Sequence, residues 1–275
     1  MPRGIFSFHE QPTESNKPST KIMSDTNSFP PPIPPGLSSG PPQILGLPLG
    51  HGPDENLPIS GLITALESIL RQPRRIFYQL RQDGQVALSL RFLAIAVVCS
   101  LIYGAVVGTF SRSDQLYQFW TAPVKVAMGL LVSAFICLPS LYIFSCLSGS
   151  QARLVEVFGL LAGLLALTTI LLIGFAPVAW VFSESTKSLP AIGALHLIFW
   201  LVATCFGFRF LNTGFTHLSA NSGAGLKVWI VIFLLVALQM TTALRPIIGA
   251  SSSFWPQEKK FFLNHWSECL AKETK

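Results

Sequence analysis
Residues 154–181 read LVEVFGLLAGLLALTTILLIGFAPVAWV. After Glu156 this run carries no charge. It is longer than the ~20 apolar residues that cross a bilayer. It is also far longer than a buried strand of roughly 4–8 residues. In hydrocarbon the backbone must pair within its own segment, so the run is predicted to be a transmembrane helix. Its excess length predicts tilt, an interfacial start or a kink at Pro177. Gly159 and Gly163 form a small-x-x-x-small pair suited to close helix approach. Glu156 stands near the start, where an interfacial position is expected.

Four further apolar runs flank this one: 88–107, 126–147, 189–211 and 226–244. The fold class that follows is all-α, a polytopic transmembrane helix bundle of about five spans. In the first run Arg91 can snorkel to the interface, and Gly104 and Gly108 repeat the small-residue spacing. Ser111, Arg112, Ser113 and Asp114 make a polar link, and Tyr117, Phe119 and Trp120 an aromatic belt. Pro139 lies inside the second span, where a kink is expected if neighbours satisfy the freed carbonyl. The short link Ser148 to Arg153 predicts an antiparallel hairpin of spans two and three. A loop with Asn221, Gly223 and Gly225 precedes the fifth span, which Arg245 and Pro246 close.

Composition agrees. Of the 275 residues 50% are apolar and only 12% charged, about half the charged share of a soluble domain. The net charge of +6 is spread along the chain, which suits lipid contact and orientation better than nucleic acid. Cys99, Cys137, Cys146 and Cys205 lie in apolar runs, Cys269 near the C-terminus, and no Cys-x-x-Cys occurs. Free thiols packed as small apolar groups are expected. Met1 to Glu10 lacks the apolar core of a signal peptide.

Outside the spans the chain divides by composition. Residues 1–57 are rich in Pro, Ser, Gly and Asn, and Pro30 to Pro35 favours polyproline II, so a disordered tail is predicted. Residues 58–85 carry Leu62, Ile63, Leu66, Ile69, Leu70, Ile76, Phe77 and Leu80 at three- and four-residue spacing, with Arg71, Arg74, Arg75 and Arg81. That pattern predicts basic amphipathic helices, either lying in the headgroup layer or packed on the bundle's own end. Ser60 is the expected N-cap, and Pro73 is expected to end one helix and open another. Residues 86–249 form the five-span domain. Residues 250–275 place Phe261, Phe262, Trp266, Cys269 and Leu270 on one face, an aromatic amphipathic tail.

Motifs of catalysis are missing: no G-x-S-x-G, H-E-x-x-H, P-loop or G-x-G-x-x-G opening a helix. His9, His51, His196, His217 and His265 are scattered, and the apolar runs hold no Asp. No catalytic, cofactor-binding or metal site is assigned, and no enzyme is expected. His196 is the one ionisable group well inside the fourth span; a packing role is expected ahead of a proton relay. Gln239, Thr241 and Thr242 give the fifth span a polar stretch that should face other helices.

Leu66 to Gln82, with Ile69-Leu70-Arg71-Gln72-Pro73-Arg74-Arg75, resembles the lead-in of bacterial members of the Yip family, five-span membrane proteins of the Rab-interacting type. Cys137 to Tyr142 with Gln239 to Gly249 resembles a group of bacterial multi-pass proteins, some labelled actin-binding. No actin-binding helix with a basic Leu-Lys-Lys-type motif accompanies it, so that label is not carried over. The resemblance implies a membrane scaffold or membrane-organising role and no enzymatic activity. The alternative is a small transporter or channel using Gln239, Thr241, Thr242 and His196. The expected partners are the lipid bilayer, anionic headgroups at Arg71, Arg74, Arg75 and Arg81, and a second copy through helix contact. The arginine cluster also predicts a cytoplasmic N-terminus, in a bacterial inner membrane.

Overall fold
The computed structural model describes residues 49–50, 52, 55–82, 84–109, 116–185, 188–218 and 223–243. All belong to the compact unit Ile44–Lys275. The Pro-rich tail through residue 48, the link at 110–115, Asn221 and everything after Ala243 lie outside the described residues, including Arg245, Pro246, Phe261, Trp266 and Cys269. Seven helices and no strand occur among the described residues: α1 (Leu62–Arg71), α2 (Pro73–Gln79), α3 (Gln85–Thr109), α4 (Leu116–Leu147), α5 (Leu154–Ser185), α6 (Leu189–His217) and α7 (Gly223–Ala243). Helices α3 to α6 are long and apolar enough to cross a bilayer, and α7 is a shorter apolar helix. The five predicted spans correspond to these five helices, and the chain is a multi-pass integral membrane protein.

Helix ends follow local chemistry, with one correction. The N-cap of α1 is Gly61, not Ser60; it is extended, and no side chain caps the helix. The Gly61 carbonyl accepts the first helical bond, from Ala65 N–H at 3.0 Å, which fixes the start one residue later than the serine suggested. Pro73 opens α2, where its missing N–H costs nothing. Ser188 caps α6, accepting from Ala191 N–H at 3.3 Å. Glu156 reaches back to Arg153 N–H at 3.1 Å, so this carboxylate caps α5 rather than sitting in the span.

The reversal between α4 and α5 is a Schellman closure. Gly149 adopts φ +78°, while Gly149 N–H bonds Cys146 O at 3.0 Å and Ser150 N–H bonds Ser145 O at 3.2 Å. The link reverses the chain as predicted, yet the two helices it joins touch only lightly. Helix α5 instead packs along α3 and α6, while α4 packs on α3 and α7. The small residues of α5 make this possible. An atom at the Cβ position of Gly163 would lie 2.7 Å from the Phe210 ring of α6, and one on Gly159 would lie 2.8 Å from Ser89 Oγ of α3 and closer still to Leu80. Thus α5 is the central helix: 67% of its span is buried, against 39% or less for α3, α4 and α6. In the other glycine pair, Gly104 of α3 is set directly against the Pro123 backbone of α4.

Helix α4 begins earlier than the Val126 predicted for its span and takes in Pro123 as well as Pro139. Near Pro139, Cys137 O accepts from Ser140 Oγ at 2.8 Å and from the Trp229 indole of α7 at 3.0 Å. A side chain on the same helix and one from its neighbour thus supply donors beside the proline. Trp229 is fully buried, with Phe208 and Phe233 around it. Outward faces of the spans carry Val98, Ile102, Phe135, Ile143, Phe206, Val231 and Leu235, all exposed, as lipid solvation requires.

Candidate functional site
Polar chemistry concentrates at the end of the bundle where α3 and α5 begin and α6 ends. Here α2 is seated by Leu80 against Gly159 and by Phe77 against Phe210, with ring centroids 5.0 Å apart. Its polar side grips the chain that precedes α1. Arg74 Nε donates to Glu55 Oε1 at 2.8 Å, within a partly buried ion pair. Glu55 also accepts from Gly50 N–H. Arg75 donates to the carbonyls of Leu57 at 2.9 Å and Pro58 at 3.2 Å. Gln79 both donates to Leu57 O and accepts from Ile59 N–H. Arg91, near the start of α3, donates to Ile59 O. It does leave the apolar layer as a snorkelling arginine should, but its target is protein backbone.

Residues 55–59 are therefore clamped from α2 and α3, although Glu55 and Leu57 belong by composition to the tail. Of the four arginines expected at lipid headgroups, Arg74 and Arg75 are engaged in this clamp. Arg71 pairs with Glu67 at 3.1 Å on the exposed side of α1, and Arg81 is exposed. Arg81, Glu156 and His217 border a cavity of about 10 Å³ between α2, α5 and α6, room for about one water. The His217 ring packs on Phe77 with centroids 5.5 Å apart.

Burial alone would push the Glu55 carboxyl up; the Arg74 guanidinium and the N–H groups of Gly50 and Gly52 outweigh it and hold the pKa below its ordinary value. A depressed carboxylate stabilises the folded clamp fully above its unfolded pKa, and the stabilisation is lost as pH falls through the folded value. Acidification from about pH 7 to about pH 3 should therefore loosen residues 55–59, read as faster hydrogen exchange after correction for the intrinsic rate. In Glu55→Gln that segment should already exchange fast at neutral pH. Equal protection at both pH values in the wild type would contradict the clamp.

Within the membrane layer, His196 meets Tyr103 of α3, with the hydroxyl 2.7 Å from Nδ1 and the rings edge to face. With the phenol donating, the ring proton sits on Nε2. Gln239 is exposed, Thr241 donates to Leu238 O at 2.6 Å, and the side chain of Thr242 lies outside the described residues. These four residues sit on α6 and α7, which touch only sparsely. The hydroxyls of Thr168 and Thr204 are buried without a partner among the described residues.

Lys125 is the functional candidate that sequence reasoning misses. It is 1% exposed, inside α4 and inside the apolar stretch Trp120–Leu147. A span taken to start at Val126 leaves it just outside; Pro123 and the aromatic belt before it invite that choice. A lysine buried near the start of an apolar helix is costly enough to mark a site worth testing. Among the described residues no three His, Cys, Asp or Glu side chains come together as a metal ion would need. Comparison with known proteins finds no protein-family model, no curated protein and no solved structure that matches this chain.

Proposed function
We propose that this chain is a non-enzymatic membrane scaffold or membrane-organising protein, of the five-span kind to which the Yip resemblance points. The observation that carries the reading is where the intramembrane polar groups go. Tyr103 is bonded to His196, and the Trp229 indole to Cys137 O. Ser89, Ser100, Ser133 and Thr169 donate to carbonyls of their own helices. Groups used to pair helices, or turned onto their own backbone, build a packed body in lipid and are not free to coordinate a passing solute; the hydroxyls of Ser145, Thr168 and Thr204 are the exceptions among the described residues.

In this reading the end carrying α1 and α2 is cytoplasmic and the membrane is the bacterial inner membrane. Arg71, Arg74, Arg75, Arg81, Arg91 and Arg153 all belong to that end, since they precede or begin α3 and α5.

The competing reading, a small transporter or channel, requires Gln239, Thr241, Thr242 and His196 to line one aqueous path. Reconstitution into liposomes separates the two. A scaffold gives stable lipid association and no specific solute flux. Uptake of a specific solute that disappears with His196→Ala or Gln239→Ala would end the scaffold reading.

A further inference from the structure
The geometry points to α1 as a preformed apolar wedge that inserts into one leaflet of the bilayer, held by aliphatic contact with acyl chains and not by arginine–phosphate attraction. The inference rests on the membrane-organising reading and names the surface through which the chain would act on lipid.

At ~100° per residue, α1 divides into three sectors. Ala65, Ser68 and Ile69 are buried against the bundle, where α1 packs on α3 and, more lightly, α5. Next around the helix come Leu62, Leu66, Leu70 and Ile63. Leu62 and Leu70 are half exposed, and Ile63 is 81% exposed. Glu67 and Arg71 then form the third sector, paired with each other at 3.1 Å. A helix that only covered the end of a bundle in water would place polar residues throughout its outward arc. Here the arc beside the buried face is aliphatic, and the charges lie beyond it. That is the order met on passing from protein to acyl chain to headgroup.

Three further observations name lipid as the occupant. Val86 and Leu90, near the start of the α3 helix on which α1 packs, are also exposed. Leu57, just before α1, is 51% exposed beside it although its carbonyl is clamped by Arg75 and Gln79. The clamp also fixes the chain on both sides of α1, so insertion carries little ordering cost. Finally, Arg74 is paired with Glu55, Arg75 is bonded to the Leu57 and Pro58 carbonyls and Arg71 is paired with Glu67. Glu55 and Glu67 thereby offset part of the cluster's charge, and the aliphatic area beside it is what holds the helix down.

The test places a benzophenone amino acid at position 63 in the full chain, reconstituted in vesicles of phosphatidylcholine alone or with added phosphatidylglycerol. A second label at Val98, on the outward face of α3, is the control for lipid contact within a span. Ile63 is outside the core, so its replacement leaves folding intact. Photolysis should give a phospholipid adduct at 63, identified by mass. Its yield should change less than about twofold between the two vesicle types and from low to high salt, a range that screens headgroup attraction. Three outcomes overturn the inference: no lipid adduct at 63 while Val98 gives one, an adduct to a second copy of the chain, or a yield that collapses in neutral vesicles or high salt. Loss of the adduct at Val98 as well would overturn the membrane placement itself. Solute flux, measured separately in liposomes, speaks to the scaffold reading and leaves the wedge standing or falling on its own result.

Discussion

Trp229→Ala should cost about 3 kcal/mol of stability in detergent micelles, the lower end of the range for large-to-small changes in soluble cores. The lower end applies because the unfolded chain stays in an apolar medium, so the loss is mainly packing and not transfer from water. Trp229 is 0% exposed and lies against Phe208 and Phe233. It also supplies a donor to Cys137 O next to the Pro139 break. Truncation thus opens a cavity between α4 and α7 and removes a hydrogen bond at one stroke. Since α7 packs chiefly on α4, the last span should come loose first, seen as early hydrogen exchange in 225–241. Trp229→Phe keeps most of the volume and loses the donor, at a cost nearer 1 kcal/mol. A thermal midpoint unchanged by the alanine substitution would mean that α7 is not docked in this way.

Gly104→Val should be at least as damaging, through the opposite fault. An atom at the Cβ position of Gly104 would sit 2.5 Å from Pro123 Cα and 3.3 Å from the Ala122 carbonyl oxygen. Both are backbone, so no rotamer change can relieve the clash, and α3 and α4 must separate. Overpacking of this kind costs about 3 kcal/mol or more when backbone must move. Gly104→Ala should already lower the thermal midpoint. Gly174→Ala is the matched control, because nothing lies within 4 Å of the Cβ position there and alanine favours the helix by about 1 kcal/mol. If the two alanine variants melt alike, the close crossing of α3 and α4 is wrong.

Other features divide between those readable from the chain and those that were not. Pro73 at the start of α2 and the reversal at 148–153 were legible because they depend on neighbours in sequence. The small-residue pairs were legible as to purpose but not as to partner. Gly163 could be read as a contact point, but only the fold pairs it with Phe210. His196 carried no visible partner in sequence because Tyr103 is 93 positions away. The arginine cluster left two compatible placements open, at lipid headgroups or on the bundle's own end. Four arginines beside a span look alike in a list of residues, yet Arg74 pairs with Glu55 and Arg75 bonds the Leu57 and Pro58 carbonyls, partners 17 to 19 positions away.

What the sequence determined by itself was the set of membrane crossings and their alternating direction. Solvation by hydrocarbon depends on the composition of each continuous segment, and a helix satisfies its own backbone without help from distant residues. The tertiary structure alone decided which helices touch: α5 in the centre beside α3 and α6, α4 turned towards α7, and the segment at 55–59 clamped under α2. In lipid no hydrophobic force selects one apolar face over another, so the choice falls to shape and a few interhelical hydrogen bonds between residues far apart in the chain.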